Sequence, residues 1–144
     1  MNSGRVFKDY TIIDHTADIG IVVRAKTLKE LFRKSAMAFY DITADLNGIK
    51  AGRMVPLNIK GTGIEDLMIN WLSELLFLFS TENWLSRNVD IVKIDEKMLK
   101  AELFGEIFDP CRHRIYTEIK AVTYHKFQVE KKGGWWVARV IFDI

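Results

Sequence analysis

The chain has 144 residues, of which 49% are hydrophobic and 28% charged, and its formal net charge is +2. This length suits one domain with a sizeable core, and the apolar fraction excludes a chain that is mainly disordered. This nearly neutral charge argues against a protein whose main task is to bind RNA phosphates, because such proteins are usually strongly basic. Positive charge gathers only in short runs, such as Arg112-His113-Arg114 and Lys131-Lys132. Direct contact with RNA is therefore left open but not indicated.

Cellular location is constrained by three features. The single cysteine, Cys111, excludes an internal disulfide and a metal-thiolate cluster, and it fits a reducing compartment. Residues 1–8 are polar and lack the apolar run of a secretory signal. The longest apolar stretch, residues 67–79, contains polar side chains and is too short to cross a bilayer. We expect a cytoplasmic protein with no membrane partner.

In the first half of the chain, residues 10–14 and 19–25 are β-rich runs joined by a short polar link, which predicts a hairpin. Thr27 is a good N-cap, and Glu30 completes a capping box for a helix that ends before Asn47-Gly48. Residues 55–60 alternate between apolar and polar side chains, as in a half-buried strand. A second helix is predicted over residues 64–80.

The second half reads as strands over residues 89–94, 98–104, 115–124, 126–129 and 135–144, with a hairpin turn at residues 132–134. Two helices and six to eight strands without βαβ alternation predict an α+β protein. We expect a mainly antiparallel sheet with the two α-helices packed on one face. Residues 1–144 are treated as one domain, within which residues 64–115 are a candidate lobe.

The first candidate site is the link between the first two strands. Asp14, His15 and Asp18 place two carboxylates and an imidazole at the end of a strand, and such oxygens suit hard cations such as calcium or magnesium. The alternative is a solvated turn, because Asp and Thr commonly bond to local backbone there.

The second candidate is the end of the closing strand, where Asp143 lies beside the terminal carboxylate of Ile144. Two acidic groups at the end of a buried strand repel each other, and a cation or a lysine would relieve the repulsion. A frayed, solvated terminus is the alternative.

Two further residues are weaker candidates. Glu74 interrupts the apolar surface of the second helix, so it lies either at the rim of the core or in a site. Lys120 is either a surface lysine or a source of positive charge for an acidic site. Among the motifs that carry catalysis, the sequence has no phosphate-binding glycine motif, no nucleophile elbow and no zinc-ligand spacing.

Several motifs together resemble the archease family across nearly the whole chain. They are Asp-His-Thr-Ala-Asp-Ile-Gly at residues 14–20, Ala-Met-Ala-Phe at residues 36–39, Asn-Trp-Leu-Ser-Glu-Leu-Leu at residues 70–76, Gly105-Glu106, Lys-Ala-Val-Thr-Tyr-His at residues 120–125 and the ending Ile-Phe-Asp-Ile. The opening motif combined with the ending is specific, whereas each helical segment alone is weak.

The resemblance implies an accessory protein of the RNA-splicing ligase that joins exons in tRNA splicing, without catalytic residues of its own. Archeases promote guanylylation of that ligase on a histidine, which uses GTP and divalent metal, and they support its repeated turnover. The resemblance implies a metal site made by Asp18, Asp143 and Ile144, with calcium expected and magnesium or manganese as alternatives. It also favours roles for Asp14, His15, Glu74 and Lys120.

Two other hypotheses compete with ligase activation. A stand-alone metal-dependent phosphohydrolase would use the acidic cluster with Lys120 and His15, and it would act without any ligase. A chaperone-like interaction module would work through its surface and tolerate neutralisation of Asp18 and Asp143.

Overall fold

The computed structural model describes residues 9–14 and 18–144. Within them, the elements follow in the order β1 (Thr11–Asp14), β2 (Asp18–Ala25), α1 (Leu28–Thr43), β3 (Arg53–Lys60), α2 (Ile64–Glu82), β4 (Trp84–Ile94), β5 (Met98–Ile107), β6 (Ala121–Lys132) and β7 (Trp135–Asp143). A single 3₁₀ turn, Leu46–Gly48, lies between α1 and β3 where the Asn-Gly signal was noted. No helix in the described part of the chain is long and apolar enough to cross a membrane.

The strands form two antiparallel sheets. One has four strands in the order β1-β2-β7-β6, and the other has three in the order β3-β5-β4. Both helices contact strands of both sheets, with α1 against β2, β7 and β4 and α2 mainly against β6 and β3. The predicted α+β class is confirmed, and the strands that were expected in one sheet are divided between two.

Local sequence signals set the ends of several elements. The Thr27 hydroxyl accepts a hydrogen bond from the Glu30 amide at 3.1 Å, so the predicted N-cap of α1 is confirmed. Gly133 and Gly134 both have positive φ, at 60° and 81°, which the tight β6–β7 hairpin requires and glycine adopts without strain. This turn fixes the register of β6 against β7.

The core lies between the sheets and the helices. Along β7, Ala138, Val140 and Phe142 are fully buried, whereas the alternate residues point to the other face of the four-stranded sheet. The two helices are joined by the buried indole of Trp71, whose Nε1 donates to the Phe32 carbonyl at 3.0 Å. The four-stranded sheet therefore has an inner face against the helices and an outer face directed away from them.

The strand predicted over residues 115–124 is wrong for its first six residues. β6 begins at Ala121, and before it only Ile115 forms an isolated bridge, with Ala44. The Tyr116 amide donates to the Thr43 carbonyl at 2.8 Å, and the Lys120 amide donates to the Asp143 carbonyl at 2.7 Å. This segment crosses from the end of α1 to the end of β7, so its amides bond to two different elements and not to one strand. Residues 121–132 are one strand with an irregularity between Thr123 and Gln128.

Candidate functional site

Asp18 and Asp143 lie directly opposite each other in the four-stranded sheet. Asp18 is the first residue of β2 and Asp143 the last residue of β7, and the antiparallel register pairs them. Residues that are paired in this way share a face and have Cα atoms about 5 Å apart. The two carboxyl groups, which are far apart in the sequence, are therefore neighbours on the outer face.

The packing next to this pair fixes the position of Asp18. Ile19 is buried in the core on the inner face, which directs its neighbour Asp18 outward. Gly20 follows on the outer face, where a Cβ would lie 2.9 Å from Ile141 Cδ1 and 3.3 Å from Ile13 Cβ. Two isoleucine side chains thus lie over the β2 backbone at Gly20, two residues from Asp18.

The Asp18 side chain has an unusual environment. Its Oδ1 atom is buried, and no donor within the described part of the chain bonds to it. Asp143, in contrast, is exposed at the end of β7. A buried carboxylate oxygen without a donor is costly, because it has lost its hydration without replacement. A cation held between the two carboxylates would satisfy that oxygen, so the donor set fits a hard divalent ion.

The end of the chain and the start of β6 complete this end of the sheet. Ile144 follows Asp143 directly and is half-buried. Ala121 is the β6 neighbour of Asp143, and the preceding Lys120 donates its backbone amide to the Asp143 carbonyl at 2.7 Å. The structure thus brings Asp18, Asp143, Ile144 and Lys120 together at one end of the sheet. The amide of Lys120 holds the Asp143 backbone in place, and the Lys120 residue itself is exposed.

Of the two other candidate residues of the opening motif, only the backbone of Asp14 is described. The Asp14 backbone pairs with Ile19 at the end of β1, whereas His15 lies outside the described residues. Within the described residues, no three His, Cys, Asp or Glu side chains form a group that could hold a metal ion. The described acidic side chains at this end are therefore those of Asp18 and Asp143, and Ile144 follows Asp143 directly.

Glu74 lies in a different environment. It is half-buried on α2 and lines an open groove of about 470 Å³ with Lys60 of β3 and Phe77 of α2. Its neighbour on the helix, Asn70, donates from its amide to the Lys60 carbonyl at 2.8 Å. Asn70 therefore fastens α2 to β3, and Glu74 faces the groove beside the three-stranded sheet. None of the residues that line this groove belongs to the Asp18–Asp143 pair.

A polar node around Glu106 was not predicted from the sequence. Its carboxylate accepts from Arg112 at 2.7 Å, from His113 Nε2 at 2.7 Å and from the Lys50 amide at 2.8 Å. The Asp109 amide donates to His113 Nδ1 at 2.7 Å, which assigns the ring proton to Nε2. These donors, with Arg112 foremost, lower the pKa of Glu106 to about 2, although partial burial opposes the shift.

The Glu106 node holds two segments of the chain together. It joins the segment before β3 to the turn after β5, and the chain then continues to Lys120 and Asp143. The sequence offered the run Arg112-His113-Arg114, which was read only as a short positive cluster. The partner Lys50 is far away in the sequence and contributes a backbone amide, which leaves no residue-type signal.

Comparisons with known proteins agree with this architecture. The model of the Archease protein family matches residues 10–144. The archease of Archaeoglobus fulgidus is 40% identical over 137 residues, which cover 94% of this chain and 98% of that protein. The archease of Methanosarcina acetivorans is 36% identical, with 95% of this chain and 97% of that protein covered.

Solved structures give the same result. The solution structure of protein 1598 of Methanobacterium thermoautotrophicum has a TM-score of 0.80 and 30% identity, and it covers 96% of this chain and 100% of that one. A crystal structure from Thermotoga maritima, described as an archease and possible chaperone, has a TM-score of 0.68 at 24% identity over 92% of this chain and 94% of that one, which supports the fold. The resemblance drawn from the motifs is confirmed, and the chain belongs to the archease family.

Proposed function

We propose that this archease is a cytoplasmic accessory protein of the RNA-splicing ligase in tRNA splicing, and that it catalyses no reaction of its own. In this proposal, it promotes guanylylation of the ligase and lets the ligase turn over repeatedly. The observation that carries the proposal is the pairing of Asp18 with Asp143 on the outer face, with the buried Asp18 Oδ1 lacking a donor among the described residues. Such an acidic pair suits delivery or positioning of a cation for a metal-dependent partner.

Asp18, Asp143 and Ile144 would hold the divalent cation through oxygen. When bound, the cation would balance the charge of the two aspartates and change the field at metals in the partner's active site. The chain's own contribution is preorganisation. The β2–β7 register presents both carboxylates on one face, and the Lys120 amide fixes the backbone of Asp143 at 2.7 Å.

Calcium is the proposed ion because the motif resemblance implies it, and magnesium and manganese are the alternatives. The aspartates offer few protein ligands, and one of them is exposed, which leaves room for water in the coordination shell. Calcium accepts six to eight oxygens in flexible geometry, whereas magnesium requires a near-ideal octahedron and keeps several waters, so the donor set alone does not choose between them. Isothermal titration of the chelator-treated protein with calcium, magnesium and manganese would rank the three ions.

The direct test is multiple-turnover RNA ligation by the cognate ligase, with and without this protein. We expect a clear gain in turnover with the wild type and little gain with Asp18→Asn or Asp143→Asn. Asp90→Asn is the matched control, because Asp90 is an exposed strand aspartate that faces another carboxylate, Glu102, in the three-stranded sheet. This control removes the same charge and should retain full stimulation.

A chaperone-like role is the competing proposal. The Thermotoga maritima protein with the same fold is described as a possible chaperone. If both aspartate variants stimulate the ligase as well as the wild type does, the acidic pair has no part in activation and the surface-only role is favoured. Phosphoester hydrolysis by this protein without ligase would instead favour a metal-dependent hydrolase.

A further inference from the structure

The outer face of the four-stranded sheet carries a second cluster at the end opposite to Asp18 and Asp143. Trp135, the first residue of β7, is half-exposed there. The Arg24 guanidinium lies 5.0 Å from the centre of its ring, and the Lys26 ammonium lies 4.7 Å from it. Cations at these distances are attracted to the indole face. Arg24 and Lys26 are themselves exposed, so two positive charges and one aromatic ring share a solvent-accessible spot.

More positive charge converges on the same end of the sheet. Lys132 is exposed and pairs directly with Trp135 across the β6–β7 hairpin, so the two share the outer face. At the margin, Lys131 lies 5.9 Å from the Trp136 ring, and Lys34 of α1 donates to the Arg24 carbonyl at 3.2 Å. We call Arg24, Lys26, Lys132 and Trp135 the basic–aromatic end.

One carboxylate partly offsets the positive charge of this cluster. Among the described residues of β6 and β7 on that face, Glu130 is the carboxylate closest in register, opposite Val137. The acidic residue of α1 nearest in sequence, Glu30, is engaged by Arg33 at 2.9 Å. The nearly neutral chain therefore has a locally basic surface that only the fold creates, because its residues come from β2, from β6 and from β7.

Positive charges beside an aromatic ring are typical of surfaces that bind single-stranded nucleic acid. Lysines and arginines attract phosphates without reading the base sequence. The half-exposed Trp135 indole, whose ring Arg24 and Lys26 contact in the structure, offers a stacking surface for a base once these cations turn to the phosphates. A duplex hides its base faces, whereas a single strand presents both the phosphates and the bases. We propose that the basic–aromatic end binds single-stranded RNA, with Trp135 stacking on a base while Arg24, Lys26 and Lys132 contact the backbone. The choice of RNA over DNA rests on the proposed function.

The position of this surface relates it to the acidic pair. Both lie on the outer face, and the stretch of β2 from Asp18 to Arg24 spans about 20 Å at the usual rise per residue. An RNA strand bound at the basic–aromatic end could therefore extend along the outer face of the sheet to the proposed metal site. An archease that holds RNA in this way would bring substrate and cation to the ligase together.

The test is fluorescence anisotropy of a labelled twelve-nucleotide oligouridylate with the full chain and no ligase. We expect binding in the micromolar range at 50 mM salt, which is typical of electrostatic contacts. The double variant Lys26→Gln/Lys132→Gln should bind about tenfold more weakly. The slope of its log affinity against log salt should fall by the amount expected for the loss of about two phosphate contacts. The control Lys93→Gln/Lys100→Gln removes the same charge from a facing lysine pair in the three-stranded sheet and should bind like the wild type.

Stacking of a base on Trp135 can be measured separately by tryptophan fluorescence. Trp71 and Trp84 are buried, so quenching of tryptophan fluorescence by oligouridylate should come from the hairpin end. Trp135→Leu should abolish most of that quenching and weaken binding about tenfold, whereas Trp135→Phe should retain binding. Circular dichroism of each variant checks that the fold is intact.

Three outcomes would overturn the inference. The first is no binding by the wild type at 50 mM salt, or equal weakening by the control pair. The second is tighter binding of the matching oligothymidylate or of an RNA duplex, which would reject single-stranded RNA as the ligand. The third is unchanged RNA binding by Lys26→Gln/Lys132→Gln with loss of ligase stimulation, which would assign the surface to the ligase. Because binding is measured without ligase, its failure and a failure of ligase activation are separate results.

Discussion

Replacing Asp143 by asparagine should stabilise the metal-free protein. The register places Asp143 opposite Asp18, with Cα atoms about 5 Å apart. Two like charges at about 5 Å repel by roughly 0.8 kcal/mol in bulk water and roughly 3 kcal/mol at an effective dielectric constant of 20. Because Asp143 is exposed, the lower figure applies more closely. We expect Asp143→Asn to raise the free energy of unfolding by about 1 kcal/mol, or about 3 °C in Tm for a chain of this size.

Calcium should reverse the order of stability. A ligand at a hundredfold excess over its Kd stabilises the native state by about 2.7 kcal/mol, which corresponds to about 8 °C here. The wild type should gain this increment, whereas Asp143→Asn should gain little because one ligand has lost its charge.

The assay is thermal unfolding followed by circular dichroism, in chelator and in excess calcium. Asp90→Asn, which relieves the facing pair with Glu102, serves as the control and should leave the calcium increment intact. A lower Tm for Asp143→Asn in both buffers, together with no calcium increment in the wild type, would refute the electrostatic reasoning.

Three further predictions concern the fold, each measured by denaturant unfolding. Glu106→Gln should cost about 1–3 kcal/mol at neutral pH, since it weakens a charged hydrogen-bond network. The native pKa of Glu106, about 2, lies below its ordinary value of 4.5, so this stabilisation is present above pH 4.5 and is lost in the wild type as pH falls toward 2. The variant should lack that loss, and an identical pH profile for the two proteins would contradict the assignment. Gly105→Ala should cost more than 3 kcal/mol or prevent folding, because its Cβ would lie 1.9 Å from the Leu85 carbonyl oxygen, whereas the control Gly52→Ala meets no atom within 4 Å and should be nearly neutral. Thr27→Ala should cost about 1 kcal/mol through loss of the α1 cap, and an unchanged midpoint would argue against the cap.

Local patterns predicted much of the fold because they act over a few residues. Both helices, the Thr27 cap and the turn at Gly133-Gly134 follow from spacing and turn chemistry. Sheet membership does not follow in the same way. β2 pairs with β7 at the other end of the chain, and β5 lies between β3 and β4, so the division into two sheets depends on contacts between distant segments. Residues 115–120 were misread as strand because their extended pattern resembles one while their amides bond elsewhere.

The candidate site was predictable only in part, for the same reason. Asp18 and Asp143 were each noted as acidic residues at a strand end, but their association came from family resemblance, and the register now gives it a physical basis. Arg24 and Trp135 drew no attention, since neither stands in a charged run. The residues of the basic–aromatic end are far apart in the sequence, so their grouping can be recognised only when the order of the strands in the sheet is known.

The rate of ligase guanylylation would show whether the Asp18–Asp143 pair activates the ligase. Transfer of labelled GMP from GTP to the ligase would be followed in a single turnover at limiting divalent metal, with wild-type archease, Asp18→Asn, Asp143→Asn or the Asp90→Asn control. We expect acceleration by the wild type and by the Asp90→Asn control, and little or none by the two acidic-pair variants. Equal acceleration by all four proteins, or by none, would contradict a role for the Asp18–Asp143 pair in activating the ligase.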